Sequence, residues 1–234
     1  MLTFAEELLL LALDDEKGVL VQMPIMSFEY GLIGAILMEL ALMNKIDTDL
    51  KNLILIDEAE TGDEIFDKVI RFIKEYPKSK DAKYWVNVIC SRIENLKDLL
   101  LARLIEKGIL KEVEKKILWV FSKRRYPVVD NKEEKEVKTR IRDTILSDEI
   151  PDPRDIVLIS LVRTCGLMDE IFSPEEIEIA NSRIAQIAKM DLIGQAVSKV
   201  VNEIQKMVTS AVASVMMGPS AYYLFRLAEI LIHV

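Results

Sequence analysis

The segment from Ser27 to Leu42 constrains this chain more than any other. From Gly31 onward it carries a single charge, Glu39, and Leu32, Leu37, Leu40 and Leu42 lie on a nearly all-apolar surface. A helix that is apolar all round belongs at the centre of a core. The starts of its neighbours are written in the capping-box pattern, in which a hydroxyl or amide side chain accepts from the backbone three residues on and a Glu reaches back. Thr3…Glu6, Thr61…Glu64, Asn131…Glu134 and Ser173…Glu176 fit it, the last with Pro174 at the first helical position. Only 8 Gly and 7 Pro occur in 234 residues, which favours long helices over a many-turned β architecture.

Helices are expected over roughly Phe4 to Leu13, from Ser27, from Thr61 to Tyr76-Pro77, and as one long or two broken helices from Asp81 to Lys107. Others follow Asn131, Pro153 and Ser173, span Leu192 to Met217, and resume after Pro219. The texture changes at Ile109 to Val113 and Ile117 to Phe121, short β-prone runs that follow the helix-stopping Gly108. The order helix, Gly or Asn, strand, turn, strand occurs around Asn44-Lys45 and again around Gly108, the outline of a winged-helix unit seen twice. The fold class expected is therefore mainly α: a single compact helical domain with a protruding β-hairpin and winged-helix-like units.

Several function classes fall away. The net charge of −8 argues against broad nucleic-acid binding, which needs a basic face. Cys90 and Cys165 have no metal-like spacing and read as buried thiols in a reducing compartment. The single His, His233, is next to last, a poor place for a triad or a metal site. No Walker, Rossmann or HExxH pattern occurs, so neither a cofactor nor an enzyme activity is expected. No signal peptide is visible, because Asp14, Asp15 and Glu16 follow the apolar run Leu8 to Leu13 at once, and the apolar stretch Met207 to Met217 is too short to span a bilayer.

Six segments, in order, resemble the Golgi phosphoprotein 3 family. Leu2 to Asp15 resembles its opening LTLAEELLLLALDD, Tyr30 to Leu42 its central helix, and Thr61-Gly62-Asp63 the turn before its third helix. Leu104 to Leu110 resembles the end of its long helix, Arg125-Tyr126-Pro127 the end of its hairpin, and Asp152-Pro153-Arg154 with Cys165-Gly166-Leu167 the two ends of a later helix. The resemblance spans residues 1–188, and residues 189–234 read as an amphipathic helical extension packed on the same domain. Because the block begins at Met1, the chain reads as a bacterial or archaeal relative. The resemblance implies binding of phosphatidylinositol 4-phosphate, a hairpin that inserts into the membrane or mediates self-association, and adaptor duty without catalysis on the cytosolic face of a membrane.

The best local signal is Lys115-Lys116-Ile117-Leu118-Trp119-Val120-Phe121-Ser122-Lys123-Arg124-Arg125, with five basic residues, no acid and an apolar centre. Each basic residue near an anionic leaflet contributes about 1 kcal/mol before screening, and Trp suits the headgroup boundary. The plain alternative is a strand with its apolar face in the core. The resemblance places the lipid headgroup site at Pro24, Ile33, Glu94 and Lys97, where Golgi members carry a Trp and three Arg. Only Lys97 keeps the charge, with Arg92 two positions from Glu94 as a substitute cation. Acid pairs such as Glu6-Glu7, Asp14-Asp15 and Glu175-Glu176 read as helix-dipole partners or solvated faces. Gly31 and Gly34 suggest close contact with another helix. The leading reading is thus a non-enzymatic protein that docks on anionic phospholipid and forms a homo-oligomer through the hairpin or the C-terminal helices. The alternatives are a winged-helix DNA-binding regulator and a dimerising scaffold.

Overall fold

The computed structural model describes residues 2–14, 17–48, 52–76, 80–117, 121–129 and 131–217, with backbone alone for 114–117, 121–124, 207–208, 210 and 211–217. Among these, nine α-helices surround one core: α1 (Phe4–Leu11), α2 (Ser27–Leu42), α3 (Glu64–Lys74), α4 (Ala82–Arg92), α5 (Leu96–Glu106), α6 (Lys132–Leu146), α7 (Pro153–Cys165), α8 (Pro174–Ala188) and α9 (Leu192–Met217). Two antiparallel hairpins interrupt them, β1–β2 (Ile46–Thr48, Leu53–Leu55) and β3–β4 (Val113–Ile117, Phe121–Arg125). The helix expected after Pro219 lies outside the described residues.

α2 is the axis of the molecule. α1, α4, α7 and α9 pack around it, and Leu32, Ile33, Ile36, Leu37 and Leu40 are all buried. Its two glycines permit the closest approaches. A Cβ on Gly31 would fall 2.4 Å from Cys165 Sγ, and one on Gly34 would fall 2.6 Å from Val197 Cγ2. The helix contact expected of this pair is therefore with α7 and α9. Val197, Val200 and Val201 of α9 belong to the same core. Cys165 is sealed there, and burial pushes its thiol up to about 12.

Two of the four capping boxes form in full. Thr3 and Glu6 exchange bonds of 2.8 and 3.3 Å, and Ser173 and Glu176 bonds of 2.9 and 3.4 Å. The other two do not form as expected. Asp63, not Thr61, caps α3, accepting from Ile65 and Phe66 at 2.8 and 3.3 Å, while the Thr61 hydroxyl donates to Asp67 at 2.7 Å. Gly62 at φ 83° turns the chain so that a carboxylate meets the helix end. Arg103 then grips Asp63 with two bonds of 2.6 and 2.9 Å. Asn131 stands at the start of α6 without a side-chain cap bond, because its backbone is not extended there. The stretch from Asp81 divides into α4 and α5 at Asn95, whose φ of 57° interrupts the helix.

The acid pair Glu6-Glu7 is not a solvated face. Both side chains are buried and belong to an ion network that ties α1 to distant elements. Lys107 donates to both oxygens of Glu6 at 2.6 and 2.8 Å. Arg140 and Arg154 reach Glu7 at 3.1 and 3.4 Å, and Arg154 also bonds Glu39 at 3.1 Å. Burial raises the Glu7 carboxyl above its ordinary range, and Arg140 and Arg154 pull it back down. Once such charges are buried, deleting one partner costs more than the pair itself contributes.

Candidate functional site

The β3–β4 hairpin is rooted in the core at its base, and beyond it the described strands pair chiefly with each other. The root begins where α5 ends at Gly108, φ 73°, with the Ile109 N–H donating to Leu104 O at 3.0 Å. Ile109 and Leu110 then turn into the core, and Leu110 bridges Val128. This corrects the expected strands. The run 109–113 is mostly root, and the paired strands are Val113–Ile117 and Phe121–Arg125, displaced outward. Core burial claims Ile109 and Leu110 of the first run, while backbone pairing carries Val113 and the charged residues beyond it. The root is fastened by Gly18, whose carbonyl accepts from the Tyr126 N–H at 2.8 Å. Gly18 has φ 58°, and a Cβ there would sit 2.3 Å from Pro127 N. No other residue type fits without displacement.

Beyond the root neither strand packs substantially on a helix. The register pairs Val113 with Arg125, Glu114 with Arg124, Lys115 with Lys123, Lys116 with Ser122 and Ile117 with Phe121. Lys115 and Lys123 are thus register partners. Trp119 and Val120 fall in the connection between the strands, outside the described residues. Only backbone is described for Lys115, Lys116, Phe121, Lys123 and Arg124. Arg125, at the root, is half-buried, and its Nε has no hydrogen-bond partner among the described residues.

The structure brings two of the four headgroup positions to one cavity of about 240 Å³ between the starts of α2 and α5 and the end of α4. Ile33 and Lys97 both line it. So do Glu29 and Asp98, which leaves two acids against one base. Burial raises the thiol of Cys90 on the same wall, and the Glu29 charge raises it further. The electrostatic character of the cavity is therefore set by carboxylates. Glu94 lies in the break between α4 and α5 and does not line it. Pro24 faces away, its Cδ 3.1 Å from where a Cβ on Gly166 would stand, and the Ser27 hydroxyl donates to the Pro24 carbonyl at 2.7 Å.

Arg92 is not brought to Lys97. It donates to the Tyr76 hydroxyl at 2.8 Å, lies 3.5 Å from Glu75, and stands 5.2 Å above the ring centroids of Phe72 and Tyr76. A two-residue offset turns a helical side chain to another face, so the cation nearest Glu94 in sequence serves the α3–α4 contact. Sequence reasoning missed Glu29 and Asp98. A signal was present: Glu29 lies four residues before Ile33 on the same helix face, and Asp98 adjoins Lys97.

The profile of the Golgi phosphoprotein 3 (GPP34) family matches residues 4–204. The chain belongs to the Golgi phosphoprotein 3 family. Its match extends into α9, past the segments that carry the resemblance in the sequence. Vacuolar protein sorting-associated protein 74 of Schizosaccharomyces pombe is 27% identical over 205 residues, covering 76% of this chain and 60% of that protein. The chain thus spans less than two thirds of the length of this relative. Among the described residues, no helix is long and apolar enough to cross a membrane.

Proposed function

We propose that this member of the Golgi phosphoprotein 3 family is a non-enzymatic adaptor that docks on an anionic phospholipid surface from the cytoplasmic side through its β3–β4 hairpin. One observation carries the reading. The segment that concentrates five basic residues without an acid, Lys115 to Arg125, carries two strands whose described residues pair with each other and do not pack substantially on any helix. The rest of the chain is acidic enough to bring the total to −8, so a bilayer attracts this segment and repels its surroundings. The apolar connection with Trp119 and Val120 supplies the part suited to the headgroup boundary.

The headgroup cavity contributes little to this docking. A phosphate monoester entering beside Lys97 meets Glu29 and Asp98 as well, so phosphatidylinositol 4-phosphate gains no advantage there over other anionic lipids. Cosedimentation with vesicles tests the proposal. Binding is expected to phosphatidylserine or phosphatidylglycerol vesicles, equally with and without added phosphatidylinositol 4-phosphate, and not to neutral phosphatidylcholine. Equal binding to charged and neutral vesicles sinks it.

A second reading has its own observation. A two-stranded sheet has an open edge on each side, and pairing of such an edge with another copy is the ordinary route to self-association. Light scattering at several protein concentrations, with and without lipid, separates a homo-oligomeric scaffold from a monomer that meets the membrane directly.

A further inference from the structure

A second cavity, of about 400 Å³, opens between the C-terminal turns of α7 and α8 and the first half of α9. Its chemistry is the opposite of that around Lys97. Arg163 and Lys189 line it, together with Ser160, Thr164, Ser198 and Asn202, and no Asp or Glu among the described residues does. Both cations are exposed, and neither forms an ion pair among the described residues. In a chain of net charge −8, two unpaired cations on an acid-free wall are out of keeping with the surface as a whole.

The plain explanation is that Arg163 and Lys189 offset the helix dipoles, since each sits in or beside the last turn of its helix. Two helix ends carry about half a negative charge each, roughly one unit together. Two full cations exceed that by about one unit. The start of α9, at Gly194 and Gln195, also opens on the cavity. Asp191 caps α9 through the Ile193 N–H at 3.0 Å and stands behind this wall without lining it. Burial raises its carboxyl to about 6, against the opposing pull of the neighbouring Gly194 N–H, Ser160 hydroxyl and Ile193 N–H. A Cβ on Gly194 would collide with Ser160 Oγ at 2.0 Å, so only glycine lets the helix start come this close.

We propose that the cavity between α7, α8 and α9 binds a small phosphorylated polyol, with Arg163 and Lys189 holding the phosphate and the hydroxyl and amide side chains of Ser160, Thr164, Ser198 and Asn202 meeting the hydroxylated body. The volume lies in the range of small-molecule sites, roughly 300–1,000 Å³. Hydroxyls and amides, in place of aromatic rings, match a body that is itself polar. The site stands independently of the hairpin.

The test is isothermal titration of the full chain with glucose 6-phosphate and glycerol 3-phosphate, with glucose as the uncharged control. One phosphorylated polyol is expected to bind at one site per chain, and glucose is not. Arg163→Ala and Lys189→Ala are each expected to weaken binding about tenfold or more, the usual loss for a charge-assisted bond. Lys97→Ala, on the other cavity, is expected to leave it unchanged. Both altered side chains are exposed, and circular dichroism checks that the fold is kept. A second arm identifies the source of the ligand, using vesicles that carry phosphatidylinositol phosphate and the Lys123, Arg124 and Arg125→Gln variant, whose hairpin is weakened. Vesicle binding displaced by glucose 6-phosphate marks a lipid headgroup; titration heat without such displacement marks a soluble compound. No heat with either phosphate, or binding indifferent to both Arg163→Ala and Lys189→Ala, overturns the proposal.

Discussion

The two hairpins begin alike and end differently. Each follows a helix whose last turn is closed by a residue at positive φ, Asn44 at 54° for β1–β2 and Gly108 at 73° for β3–β4. The first is then drawn inward. Ile46 and Leu53 are 2% and 1% exposed, β1 packs on α2 and β2 on α3, and Leu53 N–H donates to Lys80 O at 2.6 Å. The second is held at its root, and among the described residues neither of its strands packs substantially on a helix. One local plan thus makes a structural brick in one place and an extension in the other. Where the apolar residues lie decides which. In β1–β2 the strands carry Ile46 and Leu53 into the core, whereas in β3–β4 the core takes Ile109 and Leu110 of the root and the strand middles are charged.

The largest expected effect separates the two hairpins by function. Neutralising Lys123, Arg124 and Arg125 with Gln removes about 3 kcal/mol of attraction to an anionic surface before screening. Binding to acidic vesicles falls about 100-fold in low salt, while the denaturation midpoint stays put. The complementary change is Leu53→Ala. It is expected to cost about 2–4 kcal/mol in a urea titration and to leave vesicle binding of the folded protein unaltered. Gly18→Ala attacks the root of β3–β4, where a side chain meets Pro127 and the φ is unfavourable. A loss of about 1–3 kcal/mol is expected, with faster amide exchange at Tyr126.

Acid should loosen the first hairpin and spare the second. Lys45 hydrogen-bonds Asp57 and holds its carboxyl below the ordinary range. A depressed folded pKa means that this tether contributes in full above the normal Asp range and is lost as pH falls through the folded value. Exchange protection at Ile56, whose N–H donates to Lys45 O at 2.8 Å, should therefore drop in acid while that at Tyr126 does not. The smallest effect expected is that of Lys97→Ala, under about twofold on vesicle binding, because Glu29 and Asp98 already cancel that charge.

Much of the fold could be read because its signals are local. The apolar surface of α2, the boxes at Thr3 and Ser173 and the stop at Gly108 each lie within a few residues of what they control. What escaped reading depends on partners far along the chain. Glu6 and Glu7 look like surface acids until Lys107, Arg140 and Arg154 arrive. Asp63 wins the α3 cap partly because Arg103, forty residues on, secures it. The hairpin could be located from its β-prone runs, but not its register, because the runs do not show which apolar residues the core will claim. Of the candidate site, the pairing of Ile33 with Lys97 was legible through the resemblance. The turn of Arg92 toward Tyr76, and the meeting of Arg163 with Lys189, required the packing of helices.

Tryptophan fluorescence tests the docking account most directly, because the chain has two Trp and one of them, Trp85, is 1% exposed in the core. In a Trp85→Phe variant, checked for folding by circular dichroism, all emission comes from Trp119. The account predicts red, acrylamide-accessible emission in buffer that shifts to the blue and becomes shielded on acidic vesicles but not on neutral ones. Emission already blue and shielded in the free protein, or unmoved by acidic vesicles, would contradict it.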